Sequence, residues 1–197
     1  MSNSSPPPSS ARHKLLQAAA ELFYNNGLGA SGIDAIVKKA GVAKKSLYNN
    51  FESKNALILA YLAQRHAEWV TLYERRLSHA TTPTERVFAI FDAYIDHAEW
   101  GYEKGFRGCG AINAAAELST SHLGRDTVRH QKEAIQALLH EHVMACFPAE
   151  TERAGLLAQH LAFLLEGAVV RAGLEGHSRC LYDAKRIASE LISAWSR

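Results

Sequence analysis

Apolar residues recur at three- and four-residue intervals along nearly the whole chain, and no stretch carries the two-residue alternation of a half-buried strand. That periodicity restricts the fold to helices, and glycine, proline and capping residues mark where each one ends. Over residues 11–26, Leu15, Ala19, Leu22 and Phe23 form one stripe and Gly27 stops it. Ser31 is placed to cap a second helix with Asp34 three positions on, its buried face being Ile33, Ile36, Val37 and Ala40, and Gly41 closes it. A short polar helix follows. Ser53 opens a long fourth helix carrying Leu57, Ala60, Trp69, Val70 and Tyr73. The order Thr82-Pro83-Thr84-Glu85 starts a fifth, with Val87, Phe88, Phe91, Tyr94 and Ile95 at helical spacing. A glycine-rich break, residues 101–110, precedes a short alanine-rich sixth helix. Three more are expected over about 123–146 (stopped by Pro148), 151–174 and 182–196. The expected fold is all-α, with about nine helices and no internal repeat.

With 197 residues, 47% of them hydrophobic, the chain can bury a core. Net charge is only +2, but its distribution is uneven: residues 1–60 hold seven Lys/Arg against three acids, and the remainder is slightly acidic. Such a gradient suits an N-terminal third that meets phosphates, or an ordinary solvated basic face. Cys109, Cys146 and Cys180 are odd in number and widely spaced, which excludes a disulfide framework or a zinc motif and fits a reducing compartment. Residues 1–10, MSNSSPPPSS, read as a disordered arm without the charged and apolar regions of a signal peptide. No apolar run is expected to reach membrane-spanning length, so a cytoplasmic location is expected.

The stretch GVAKKSLYNNF, 41–51, explains its own polarity once wound into a helix after a glycine turn. At 100° per residue, Leu47 and Phe51 fall on nearly one side and anchor the helix. Lys45 and Asn49 stand about 160° from Leu47, four residues apart, while Ser46 and Tyr48 flank it at about 100°. A helix seated in the major groove needs a thin buried seam, donors and acceptors at its tip, and hydroxyls toward the phosphate walls. Asparagine can pair doubly with adenine, and lysine can donate to guanine. Lys54, in the first turn of the next helix, is placed for a phosphate. Taken alone, KKSLYNN also suits a plain surface helix; the order of capped helix, glycine turn and polar helix describes a helix-turn-helix.

From Arg12 to Leu57 the chain resembles the DNA-binding domain of the TetR family of transcriptional regulators (TetR/AcrR-like). The resemblance rests on AAELFYNNG, S-G-I-D-A-I, the KKAGV turn, S-L-Y-x-x-F and F-x-S-K-x-A-L. It implies a three-helix head over 11–57, a helical ligand-binding and dimerisation domain over 58–197, and a homodimer on a palindromic DNA operator. It also implies DNA contacts from Ser31, Lys44, Lys45, Ser46, Tyr48, Asn49 and Lys54. Four positions depart from the family pattern: Val37 replaces a small alanine, Ala43 replaces a capping serine, and Asn49–Asn50 replaces a commoner aromatic or histidine pair. The operator sequence therefore does not carry over.

Beyond residue 60 the residues speak for themselves. The helix over 151–174 is too apolar for one buried face, so Leu157, Leu161, Leu164, Leu165 and Ala168 are read as a dimer seam with Ile187, Leu191 and Trp195; a core helix of the monomer is the alternative. Trp69, Tyr73, Phe88, Phe91, Tyr94, Phe106, Cys109, Asn113, Glu117 and Phe163 are read as lining a pocket for a small, mainly apolar molecule, which the resemblance makes an inducer. Each aromatic taken singly is better explained by the core than by a pocket. Cys109, between two glycines and near Arg107, carries a further alternative, a thiol that senses electrophiles or oxidants. No histidine or carboxylate spacing points to a metal, no cofactor is implied, and no nucleophile elbow, P-loop or dinucleotide fingerprint points to an enzyme with a DNA-docking head.

Overall fold

A computed structural model describes residues 10–195. Residues 1–9, most of the expected N-terminal arm, and 196–197 lie outside the described residues. Among those described there are nine helices and no strand: α1 Ala11–Asn26, α2 Ile33–Ala40, α3 Lys44–Asn50, α4 Lys54–Leu77, α5 Pro83–Ala98, α6 Gly110–Ala116, α7 Leu123–Cys146, α8 Thr151–Glu175 and α9 Arg179–Trp195. Most ends fall where the capping residues put them. Thr82 accepts from Glu85 N while the Glu85 carboxylate accepts from the Thr81 and Thr82 N–H groups, a complete capping box at α5. Gly41 closes α2 at φ +64°, a left-handed position that suits glycine.

Two departures concern caps and apolarity. Ser31 does not cap α2. The N-cap is Gly32, and the Ser31 hydroxyl donates instead to the Gly27 carbonyl, 2.6 Å away and buried. Helix α8 is, by length and composition, long and apolar enough to cross a membrane, contrary to the sequence expectation. One of its faces, through Ala154, Leu157, Leu161, Leu165 and Ala172, is packed in the protein's own core against α7 and α9, as in the core helix of a globular protein.

Packing divides into two cores. Leu15, Phe23, Ile36, Leu47 and Leu57 close the first around α1–α4, and it continues into Ala111 and Ala114 of α6 and Val128 of α7. The second joins α4, α5, α7, α8 and α9 around Phe91, Leu139, Leu157, Leu161 and Leu165. Helix α4 belongs to both.

The segment from 99 to 109 crosses between these cores and brings two backbones together. A Cβ added at Gly173 of α8 would stand 2.5 Å from Gly108 N and 2.7 Å from the Arg107 carbonyl carbon, distances that backbone atoms cannot give way to. Gly108 itself sits at φ +82°. We expect Gly173→Ala to lower unfolding stability by about 1–3 kcal/mol through overpacking, measured by urea titration. Gly155→Ala, in the same helix with only ordinary contact to His140, should be neutral or gain up to about 1 kcal/mol from helix propensity.

Candidate nucleic-acid interface and the cavity behind it

Helix α3 has the two-sided character its sequence foretells. Leu47 and Phe51 are buried, and the Arg12 guanidinium of α1 lies 5.0 Å over the Phe51 ring. Lys44, Lys45, Tyr48 and Asn49 are exposed, Tyr48 by 52%. Ala43, at the N-cap, makes no side-chain cap, whereas Asn50 donates to the Ser46 carbonyl at 2.7 Å and steadies the helix from within. Lys44 is tied to Asp34 of α2 at 2.8 Å, an exposed pair that links the two helices.

Two of the expected DNA contacts sit elsewhere. Ser31 is buried with its hydroxyl engaged, as described above. Lys54 points into the fold: its Nζ donates to the Leu28 carbonyl at 2.6 Å, fastening α4 to the turn after α1. The same turn is held from its other side. Glu117, just past α6, accepts from Leu28 N at 2.9 Å and Gly29 N at 2.8 Å. Glu117 is therefore no pocket residue. Nearby, Arg107 N donates to the Tyr24 hydroxyl at 2.7 Å and that hydroxyl donates to the Gly108 carbonyl at 3.2 Å. The Arg107 guanidinium caps the end of α1 through the carbonyls of Tyr24 and Asn25.

Behind this joint lies a small cavity of about 30 Å³ between α4, α5, α6 and α7. Of the ten residues expected to line a pocket, Trp69, Tyr94 and Cys109 do so. Tyr73 is turned to His142, with Oη 2.6 Å from Nε2. Phe91 and Phe106 fill the larger core, Phe88 packs at its edge under Lys185, and Asn113 is exposed, donating to the Arg107 carbonyl. Phe163 is 63% exposed on the outer side of α8. The dimer-seam residues reverse in the same way. Leu157, Leu161, Leu165 and Ala168 are buried in the protein's own core, Leu164, Leu191 and Trp195 pack against it, and only Ile187 is exposed. The exposed apolar residues of α8 are Leu156, Phe163, Val170 and Leu174. The first three recur every seven residues and so share one face.

The cavity's other walls are residues that sequence reasoning passed over: Arg65, His66, His97, Gln131 and Lys132. Lys132 donates to Tyr94 Oη and pairs with Glu166 Oε1, both at 2.9 Å. Burial opposes its charge, but the neighbouring Cys109, Tyr94 and Glu166 outweigh burial and keep its pKa well above the ordinary lysine value. The signal for it was present: Lys132 falls in the stripe Val128, Ile135, Leu139, where an inward lysine needs a partner. An open cleft of about 610 Å³ runs outside, along Gln17, Tyr24, Glu68 and Trp100, and Arg65 lines both spaces.

Burial also pushes the His97 imidazole down to about 4, while its Nε2 stays 2.9 Å from the Tyr102 hydroxyl. Its folded value lies below its unfolded one, so its contribution to stability is complete above pH 6.5 and is lost as pH falls toward 4. Urea unfolding should therefore lose on the order of 3 kcal/mol over that window from this group, and His97→Phe should flatten the dependence.

Comparison with known proteins places this geometry. Residues 15–61 match the family model described as bacterial regulatory proteins, tetR family. The chain is 40% identical over 101 residues to the HTH-type transcriptional activator FasR of Mycolicibacterium smegmatis, covering 49% of this chain and 45% of that protein. It is 34% identical over 93 residues to the HTH-type transcriptional repressor KstR2 of the same organism, covering 47% and 45%. The match thus spans about half the length of these curated relatives. A TetR-family transcriptional regulator from Streptomyces coelicolor superposes with a TM-score of 0.86 at 24% identity, over 95% of this chain and 96% of that one, a likeness of fold.

Proposed function

This chain belongs to the TetR family of bacterial regulatory proteins, and we propose that it works as a homodimeric transcriptional regulator, most simply a repressor, that a small ligand releases from a palindromic operator. The observation that carries the DNA reading is α3: Leu47 and Phe51 fasten it while Lys45, Tyr48 and Asn49 stand free on its outer side. In this reading Lys45 and Asn49 meet base edges, and Lys44, Ser46 and Tyr48 meet the phosphate walls. Lys54 acts indirectly by setting the angle of the turn at Leu28. FasR is named an activator and KstR2 a repressor, so likeness in the head leaves the sign of regulation to the promoter.

One short helix reads few base pairs, so specific binding calls for two heads about 34–36 Å apart. The outer face of α8 supplies the pairing surface: Leu156, Phe163, Val170 and Leu174, with Gly167 open between them and Ile187 on α9 alongside. Covering such side chains is worth about 1.5–3 kcal/mol each before the cost of association. The ligand would act through α6, because Gly110 and Ala111 wall the cavity while Glu117, at the other end, holds the turn before α2. Cys109 is in the same wall, so the thiol-sensing alternative refers to the same cavity. The family's members are regulators, and the proposed role requires no catalysis and a location with the DNA.

Fluorescence anisotropy on genomic operator fragments tests the head. Lys45→Ala and Asn49→Ala should each narrow the gap between matched and mismatched DNA by about 1–3 kcal/mol, whereas Tyr48→Phe should weaken binding evenly across sequences. Equal weakening on every sequence by all three would remove the base-reading role. Sedimentation equilibrium tests the pairing: Phe163→Glu with Val170→Glu should give a folded monomer with weak operator binding, and an unchanged dimer would assign the interface elsewhere.

A further inference from the structure

What the cavity accepts follows from the donors around it. Three buried side-chain donor atoms have no hydrogen-bond partner among the described residues: Tyr61 Oη, Arg65 Nε and Trp69 Nε1. They stand four residues apart on α4 and so share one face of that helix. Tyr61 is fully buried and Trp69 is 5% exposed. Arg65 and Trp69 wall the cavity, and a Cβ at Gly110, another wall residue, would lie 2.6 Å from Tyr61 Oη. Buried donors without acceptors destabilise a fold, so a row of them marks where a bound molecule can contribute the missing acceptors.

Charge decides which acceptors fit. Arg65 and Lys132 would invite an anion, but each is already balanced, Arg65 by Glu68 and Lys132 by Glu166. Both partners of the Arg65 pair are less than one-fifth exposed. His66 and His97 supply no further charge near neutral pH, since burial favours their neutral forms. An added carboxylate would leave this interior with an uncompensated negative charge, which costs far more than placing a neutral dipole there. A neutral carbonyl oxygen can accept from one or two of the free donors without that penalty. The remaining walls, Trp69, Tyr94 and Ile135, suit a flat apolar body. The resting space of about 30 Å³ holds one or two waters, so a ring must push back the Gly110–Ala111 wall of α6, the helix that leads to Glu117.

We propose that this cavity binds a neutral single-ring compound that presents a carbonyl-type oxygen to the α4 donors; the assignment rests on the ligand-release reading above. Three probes of similar shape separate the possibilities: acetophenone (neutral acceptor), benzoate (anion) and ethylbenzene (no acceptor). Calorimetric titration of the full-length protein should give acceptor-selective binding, with acetophenone at least tenfold tighter than either of the others. Trp69→Phe and Tyr61→Phe, which keep an aromatic ring and delete the donor, should each reduce the preference for acetophenone over ethylbenzene severalfold. Benzoate or ethylbenzene binding as tightly as acetophenone, no binding by any of the three, or a preference untouched in both variants would overturn the proposal. Operator anisotropy with the same probes is read separately. Acceptor-selective binding without DNA release keeps the site chemistry and removes ligand release, whereas release by compounds without acceptor selectivity does the opposite.

Discussion

The structure turns on how the turn after α1 satisfies its backbone. Leu28 and Gly29 present N–H groups with no acceptor inside the helix-turn-helix head, and an orphaned pair of donors there would leave the entry to α2 unsettled. The Glu117 carboxylate takes both, while Lys54 takes the Leu28 carbonyl from the opposite side. A Cβ at Gly27 would lie 2.6 Å from that carboxylate, so the glycine both ends α1 and makes room for the contact. The orientation of α2 and α3 is thereby tied to Glu117, a residue outside the head, as well as to Lys54 at the head's own edge. Since α6 also walls the cavity, head and cavity share one short helix, and any rearrangement of that helix must be felt at the turn.

Helix α8 shows why apolarity alone misassigns a role. Its composition is explained by two faces with different fates. One face, through Leu157, Leu161 and Leu165, is spent on the internal core; the other, through Leu156, Phe163 and Val170, is left outside. A helix with both faces apolar satisfies a membrane criterion and a core criterion equally. Only the phase of the two stripes relative to α7 and α9 separates inside from outside, and that phase is a tertiary fact.

Most of the fold was legible because caps and periodicity are local. The Thr82–Glu85 box, the Ser53 cap, the glycine after α2 and the seam of α3 all appear where residues within four positions of one another dictate. The failures had two sources, a competing acceptor one helical turn back and partners far away in the sequence. Ser31 looks like a cap until the Gly27 carbonyl claims its hydroxyl; Glu117 looks like a pocket acid until two amides, 88 and 89 positions away in sequence, reach it. The aromatics drew attention by size, yet size predicts burial, and Phe91 and Phe106 are simply buried. The polar wall residues carried a subtler signal: Arg65 and Lys132 lie in phase with the apolar stripes of α4 and α7, and a charge in phase with a core stripe needs a partner or a purpose.

Ion-pair partners within the fold reduce the positive charge the head presents. Lysines concentrate in the first sixty residues, but the charge that DNA would meet is smaller than their number. Lys39 is paired with Glu21, Lys44 with Asp34, and Lys54 is turned inward onto a carbonyl. Exposed pairs of this kind are weak, so phosphate can compete for Lys39 and Lys44, but each exchange gives up part of what it gains. The counterion-release contribution per head is therefore modest. In the proposed dimer, discrimination would then rest on the few groups at the outer edge of α3, and affinity on joining two such heads rigidly enough that the second binds at little further cost. The proposed pairing face on α8 and a head pinned by Glu117 would answer those two requirements.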